Sequence, residues 1–279
     1  MYKTILFHAD ASRSAPKRMP LAALLAAQQG AHLICAAMTG ISRYVYRQHE
    51  PLPHDVMRPD LAQLMTDRTQ HILLDCDKMA SSLGIQSYEK RLVHDDAFGG
   101  LEQQSRYADL VIVGQADRDD PGAGALMQDL PEYLVLNCVR PVLVVPFAAT
   151  TAAIGECVLV AWDGSSEAAR AITGALPILR MASRVAILMV DPIVGINEHR
   201  EEPGADMALY LARHGVKVEV LSQAGDGDIG AVLLATADIV HADLLVMGAY
   251  GHPRFREILL GGATRTVLIK MRIPVLMSH

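Results

Sequence analysis

The chain has 279 residues, of which 51% are hydrophobic, and a formal net charge of −6, which describes a globular protein with room for one large or two ordinary domains. The negative charge and the lack of any lysine or arginine run argue against a nucleic-acid partner. No apolar run approaches the roughly 18 residues that a membrane span requires, and the first residues, MYKTILFHADAS, do not resemble a signal peptide. We therefore expect a cytoplasmic protein with no membrane partner.

The first predicted strand covers Thr4–Asp10, an apolar run that ends in an aspartate and is followed by Ser12, a suitable helix cap. The same pattern returns at Cys157–Asp163, which Gly164 and Ser165 follow. Other segments recur in the same order: His32–Met38 with Val185–Val190, Asp109–Gly114 with Asp243–Gly248, and Pro141–Pro146 with Pro274–Ser278. The sequence therefore predicts two homologous repeats.

The repeats predict two domains, at residues 1–148 and 156–279, with a weakly patterned linker at Phe147–Glu156. Short strands rich in Val, Ile and Leu alternate with longer segments of helical period, which is typical of βαβ units and a buried parallel sheet. The fold class is α/β, with two doubly wound, five-stranded parallel sheets of Rossmann-like type. In the second repeat we expect strands near 157–162, 185–190, 216–221, 243–248 and 274–277, and helices near 165–182, 203–214, 227–241 and 262–271.

A long insertion, Thr39–Ser87, separates the second and third strands of the first repeat and ends in a long helical stretch to about Leu83. Insertions at the rim of an α/β sheet often form a lid or a packing arm. Its aromatic and histidine residues either line a pocket or belong to a surface loop: Tyr44, Tyr46, His49 and His54.

Metal and redox motifs are not evident in the sequence. The four cysteines are widely separated, without the close pairs of zinc sites or thiol redox motifs: Cys35, Cys76, Cys138 and Cys157. The spacing of His49 and His54 does not place them on one helical face. We predict no metal-ligating residues.

The stretch Asp243–Thr264, DLLVMGAYGHPRFREILLGGAT, predicts a buried strand, a glycine-bearing loop and the start of a helix. Glycine permits positive φ or a close approach of the backbone to a ligand, and the first amides of a helix point outward without partners. Such a segment suits an anion, phosphate above all. The alternative is that these glycines only make turns.

With these residues in view, the chain resembles a tandem universal stress protein, with two UspA-like domains in one polypeptide. The family's nucleotide-binding pattern is glycine, two residues, glycine, nine residues, glycine, then Ser or Thr. Gly248, Gly251 and Gly261 match its glycines. The resemblance implies that Asp163 contacts adenosine and that Val190, or a neighbour, presents its backbone to adenine.

The match has two departures. Gly262 stands where the family has Ser or Thr, so Thr264 would have to supply the hydroxyl, while the backbone of Gly262, Ala263 and Thr264 could still bind phosphate. In the first repeat Asp117 takes the place of Gly251, and an aspartate repels phosphate. We therefore predict that the first repeat does not bind ATP and that Asp10 is a structural relic or contacts another ligand.

The resemblance implies a stress-response protein whose second repeat binds ATP or AMP, with Mg²⁺ as a companion ion. His252, within the glycine loop, either meets the phosphate or is solvated. No catalytic residue is identified, so we expect a sensor or regulator with at most slow ATP hydrolysis. The two repeats would pair within the chain as a pseudo-dimer, and a further homodimer is compatible with this. The alternative function is a protein that binds no nucleotide and recruits partners or another ligand through the insertion.

Overall fold

The computed structural model describes residues 1–42, 59–120, 127–148, 153–191, 204–225, 227–250 and 262–279. These residues contain strands β1 to β10 and helices α1 to α8. The strands are β1 Thr4–His8, β2 His32–Met38, β3 Tyr88–Val93, β4 Leu110–Gly114, β5 Val142–Val145, β6 Cys157–Ala161, β7 Arg184–Val190, β8 Val218–Gln223, β9 Leu244–Gly248 and β10 Val275–Ser278. The helices are α1 Ala15–Gln29, α2 Pro59–Ser82, α3 Ala97–Ser105, α4 Leu130–Asn137, α5 Ser166–Leu179, α6 Ala205–Arg213, α7 Ile229–Ile239 and α8 Gly262–Lys270.

The strands form one sheet in the order β3-β2-β1-β4-β5-β10-β9-β6-β7-β8. Within β1–β5 and within β6–β10 all neighbours are parallel, and the two sets have the same internal order. The α/β class and the two sets of five parallel strands predicted from the sequence are confirmed. The sets meet where β5 pairs antiparallel with β10, through Val144 opposite Val275 and Leu143 opposite Leu276.

The sheet is buried on both faces, as the apolar runs in its strands predicted. Alternate residues of β1 face opposite sides: Ile5 and Phe7 belong to one buried cluster, and Leu6 belongs to the other. Each cluster includes residues from both halves of the chain, for example Leu6 with Leu159 in the second cluster. The core therefore extends across the β5–β10 junction.

Helices α5 and α7 begin after short polar side chains that accept hydrogen bonds from their first amides. The Ser165 hydroxyl accepts the Ala168 N–H at 3.1 Å at the start of α5, and Asp228 accepts the Ala231 N–H at 3.2 Å at the start of α7. Helix α1 ends at Gly30, whose φ of 60° is the left-handed conformation that favours glycine. The starts of α5 and α7 lie at the carboxyl edge of the sheet, whereas Gly30 precedes β2 at the amino edge.

Equivalent aspartates tie the start of each half to its fourth strand. Asp109 Oδ2 accepts the backbone N–H groups of Lys3 and Thr4 at 2.7 and 3.0 Å. In the second half the Asp243 carboxylate accepts those of Gly155 and Glu156 at 2.8 and 2.9 Å. The same pair of hydrogen bonds occurs in both halves. It explains the repeated DL motif, which is Asp109 with Leu110 and Asp243 with Leu244.

The insertion of the first half contains the 24-residue helix α2, which ends at Ser82, so the helical stretch predicted to about Leu83 is confirmed. Tyr44, Tyr46, His49 and His54 lie outside the described residues. Among the helices that the structure describes, none has the length and apolar character needed to cross a membrane.

Candidate functional site

The predicted site residues Asp163, Val190 and Gly248 lie at the carboxyl edge of the sheet. Strand β6 lies between β9 and β7, so Asp163 after β6 is flanked by Gly248, the last residue of β9, and Val190, the last residue of β7. Asp163 is exposed, and its Oδ1 accepts the Ser165 N–H at 3.0 Å. A carboxylate at this edge is placed to accept hydrogen bonds from a ligand, since ligands of doubly wound sheets bind there.

Gly248 has a packing reason to be glycine. A Cβ at this position would lie 2.5 Å from the Ala168 nitrogen and 2.8 Å from the Glu167 carbonyl carbon, both backbone atoms at the start of α5. No side chain therefore fits while α5 keeps its place against β9. This glycine brings the first turn of α5 close to the end of the strand.

The start of α8 lies on the same edge. Gly262 is exposed with open space around the position of a Cβ, and Ala263 is half-buried. Thr264 is buried, and its Oγ1 accepts the Tyr250 N–H at 3.4 Å. The Thr264 hydroxyl thus contacts the chain just after β9. The other predicted members, Gly251, His252 and Gly261, lie outside the described residues.

Tyr250, the last described residue before the glycine loop, is tied to the first half of the chain. Its hydroxyl donates to Glu132 Oε1 on α4 at 2.5 Å. Burial, with the neighbouring Glu132 carboxylate, raises the pKa of Tyr250 well above its ordinary value. Gln115 makes a second tie, because its Nε2 donates to the carbonyls of Leu268 and Ile269 in the last turn of α8, at 2.9 and 3.0 Å.

A cavity of about 330 Å³ lies at the equivalent edge of the first half. Residues that follow β1, β2 and β4 line it, among them Asp10, Thr39 and Gln115, and α4 contributes Leu130 and Pro131. We call it the first-half cavity. It therefore occupies the position in the first half that corresponds to the predicted nucleotide site in the second.

Asp10 in this cavity is already engaged by the protein. Its Oδ2 accepts from Arg18 Nη2 at 2.8 Å and lies 3.4 Å from His8 Nδ1, while its Oδ1 accepts the Ser12 N–H at 3.0 Å and the Ser12 hydroxyl at 2.5 Å. Burial would raise the pKa of Asp10, but the Arg18 guanidinium, with His8 and Ser12, outweighs it and brings the pKa to about 2. Asp10 thus differs from the exposed Asp163, to which it aligns.

Arg18 lines the first-half cavity and was not singled out in the sequence. Its side chain is 1% exposed, and it lies so close to Gly114 that a Cβ there would be 2.1 Å from Nη1. It lies eight residues after Asp10, and the residue eight after Asp163 is Ala171. The available signal was an arginine at a helix position where the other repeat has alanine.

The aspartates that replace the glycine loop in the first half are held by Arg13. Arg13 Nη2 donates to Asp117 Oδ2 at 3.2 Å, and the Arg13 N–H donates to Asp120 Oδ2 at 2.6 Å. Asp117, which aligns with Gly251 and lines the cavity, is therefore part of an ion pair. The alignment predicted an acidic residue here, but only the structure shows its partner.

Comparison with known proteins finds one matching family and one similar protein of known family. Residues 156–279 match the universal stress protein family. The whole chain is similar to universal stress protein Slr1230 of Synechocystis sp., with 27% identity over 300 residues that cover 98% of this chain and 99% of that protein.

Two solved structures are similar in fold over nearly the whole chain. A universal stress protein from Archaeoglobus fulgidus DSM 4304 has 17% identity and a TM-score of 0.70, covering 99% of this chain and 95% of that one. A functionally unknown protein from Pseudomonas aeruginosa PAO1 has 19% identity and a TM-score of 0.60, covering 99% and 92%.

The sheet order and the edge site define a doubly wound α/β protein with Rossmann-like topology. The second half of the chain matches the universal stress protein family, and the chain as a whole is similar to a universal stress protein. The resemblance to universal stress proteins found in the sequence is confirmed.

Proposed function

We propose that the second half of the chain binds one adenine nucleotide, ATP or AMP, and that the protein acts as a stress-response sensor or regulator rather than a fast enzyme. The observation that carries this is the exposed Asp163 carboxylate between the ends of β9 and β7, on the edge where α8 begins. The glycine pattern of Gly248, Gly251 and Gly261 supports it.

The residues present fit a nucleotide in their chemistry. Asp163 accepts hydrogen bonds from the adenosine, and the backbone at Val190 faces adenine. The outward amides at the start of α8, from Gly262 to Thr264, suit phosphate because no side chain of Gly262 obstructs them. Gly251, His252 and Gly261 complete the phosphate-binding segment. Mg²⁺, when bound, would offset phosphate charge.

The two halves form separate domains, 1–148 and 156–279, that pair as a pseudo-dimer within the cytoplasmic chain. The antiparallel β5–β10 contact supports this arrangement, since two parallel sheets with the same order meet there edge to edge. A further homodimer would use other surfaces. The first domain does not bind a nucleotide, because Asp10 is saturated by Arg18 and Ser12 and Asp117 replaces the second glycine.

Calorimetric titration with ATP, ADP and AMP, with and without Mg²⁺, tests the proposal. We expect one equivalent for the parent chain. Asp163→Asn should weaken binding about tenfold or more, because it removes a charged acceptor. Gly251→Asp, which introduces the residue of the first half, should have at least as large an effect through repulsion of phosphate.

Asp10→Asn is the matched control, since it makes the same chemical change at the aligned position of the first half. It should leave the stoichiometry and affinity for nucleotide unchanged. Two equivalents of nucleotide in the parent, an equal loss in the two aspartate variants, or no binding at all would each contradict the proposal. Rapid production of ADP from ATP would contradict the regulatory assignment.

A further inference from the structure

The residues that line the first-half cavity include buried polar groups with no hydrogen-bond partner in the described part of the chain. We propose that it is a second ligand site, which takes a small monocarboxylate with an apolar body. This site would be separate from the nucleotide site and does not depend on it. Three features carry the argument: unpaired buried donors, the local balance of charge and an apolar wall.

Arg18 supplies most of the donors. Its Nη2 donates to the His8 carbonyl at 3.0 Å and to Asp10 at 2.8 Å. Its Nε and Nη1 are buried and have no hydrogen-bond acceptor among the residues that the structure describes. An arginine remains charged at all ordinary pH values, and a buried N–H without an acceptor is costly. A ligand oxygen at Nη1 would remove that cost.

Thr39 supplies a further polar group to the same cavity. Its side chain is 3% exposed, and its Oγ1 is buried with no hydrogen-bond partner in the described part of the chain. Thr39 follows β2 directly, and Arg18 reaches the end of β4 at Gly114. Two residues with unsatisfied buried groups, from different elements, thus line one cavity, which is unusual for a purely structural core.

The charges favour a single negative group. A planar carboxylate matches the planar guanidinium and gains charge-assisted hydrogen bonds from it. Arg13 is already paired with Asp117, and Asp129 lies exposed at the start of α4 where the second half has Gly262. The charged residues that line the cavity balance one another, Asp10 and Asp117 against Arg18 and Arg68. A monocarboxylate therefore adds one negative charge, whereas a polyphosphate adds several.

Part of the cavity wall is apolar. Met38, Met65, Ile72 and Met127 line it, and methionine side chains adapt to irregular ligands. The volume of about 330 Å³ lies at the small end of the usual range for ligand pockets, about 300–1,000 Å³. The cavity therefore suits one ring or a short alkyl chain that carries the carboxylate.

Benzoate is a suitable probe, with benzamide as its neutral counterpart and phenyl phosphate as its more highly charged counterpart. In calorimetry or ligand-observed NMR with the full chain, we expect one saturable benzoate site with a dissociation constant of about 1 mM. Benzamide and phenyl phosphate should each bind about tenfold more weakly. ATP should not displace benzoate, which distinguishes this site from the nucleotide site.

Two variants test the assigned groups. Arg18→Ala introduces the residue that the second half has at Ala171 and should weaken benzoate binding at least tenfold. Thr39→Val keeps the side-chain shape and should weaken it about fivefold, by loss of one hydrogen bond. Lys17→Ala is the control, because it removes an exposed positive charge next to Arg18 outside the cavity, and it should bind benzoate like the parent.

Circular dichroism of each variant verifies that it folds, and Thr39→Val carries the test if Arg18→Ala does not fold. The proposal is overturned if benzoate shows no saturable binding up to about 10 mM, ten times the expected constant. It is also overturned if folded Thr39→Val binds benzoate like the parent, or if ATP displaces benzoate. A loss of ATP binding alone would contradict the nucleotide proposal and leave this one intact.

Discussion

Replacing Gly248 by alanine tests whether this motif glycine is required by packing. The added Cβ would lie 2.5 Å from the Ala168 nitrogen, and an ordinary contact begins at 3.4 Å, so the backbone of α5 or β9 must move by 0.9 Å (3.4 − 2.5). Such a movement strains the cap between Ser165 Oγ and the Ala168 N–H. Loss of a cap costs about 1 kcal/mol and overpacking costs about 1–3 kcal/mol. We expect Gly248→Ala to lower the free energy of unfolding by about 2–3 kcal/mol.

Gly262→Ala is the matched control within the same motif. Nothing lies within 4 Å of the position of its Cβ, and the residue begins helix α8. Alanine there should leave stability unchanged or raise it by about 0.5 kcal/mol, through the lower entropy of the unfolded chain. Urea unfolding followed by circular dichroism measures both variants. If Gly248→Ala unfolds within about 0.5 kcal/mol of the parent, the packing argument is wrong.

Two further predictions concern pH and the contact between the halves. Burial lowers the pKa of His8 to about 4, with Asp10 opposing and Arg18 adding to the decrease. The unfolded chain therefore binds the proton more tightly than the folded chain. As the pH decreases from 7 to 5, the free energy of unfolding should decrease by about 2 kcal/mol. Urea unfolding of His8→Ala, which introduces the residue aligned with it in the second half, should show a correspondingly smaller loss over that range, and an unchanged loss would exclude His8 as its source. Tyr250→Phe removes the hydrogen bond to Glu132 and should cost about 1–2 kcal/mol of stability; equal unfolding midpoints and slopes in urea for variant and parent would show that this contact does not stabilise the chain.

Local pattern was sufficient for the fold class because strands and helices differ in the period of their apolar residues. The strand predicted near 185–190 is observed at Arg184–Val190, and the helix predicted near 262–271 is observed at Gly262–Lys270. The repeated DL motif also indicated the duplication, since each copy begins with the aspartate that binds the start of its own half. A short motif that occurs twice in a chain can be recognised from the sequence alone.

The sequence placed Asp163, Val190 and Gly248 at the ends of neighbouring strands, and the structure brings those three ends together. For the motif glycines, the sequence was compatible with two interpretations, a role in binding or a role in a turn. The structure adds a third factor at Gly248, the close approach of α5, which depends on how a helix packs across a strand. No pattern within residues 243–264 carries that information.

By itself, the sequence determined the α/β class, the two repeats, the strand ends that bear the aspartates and the acidic replacement of a glycine at Asp117. Only the tertiary structure decided that Arg18 reaches Asp10 beneath the end of β4, that Arg13 pairs with Asp117, and that Tyr250 bonds to Glu132. The physical reason is the separation along the chain of the residues that interact. Periodicity acts between residues a few positions apart, whereas the last two pairs join residues more than 100 positions apart, and which buried polar groups meet is set by the packing of whole elements.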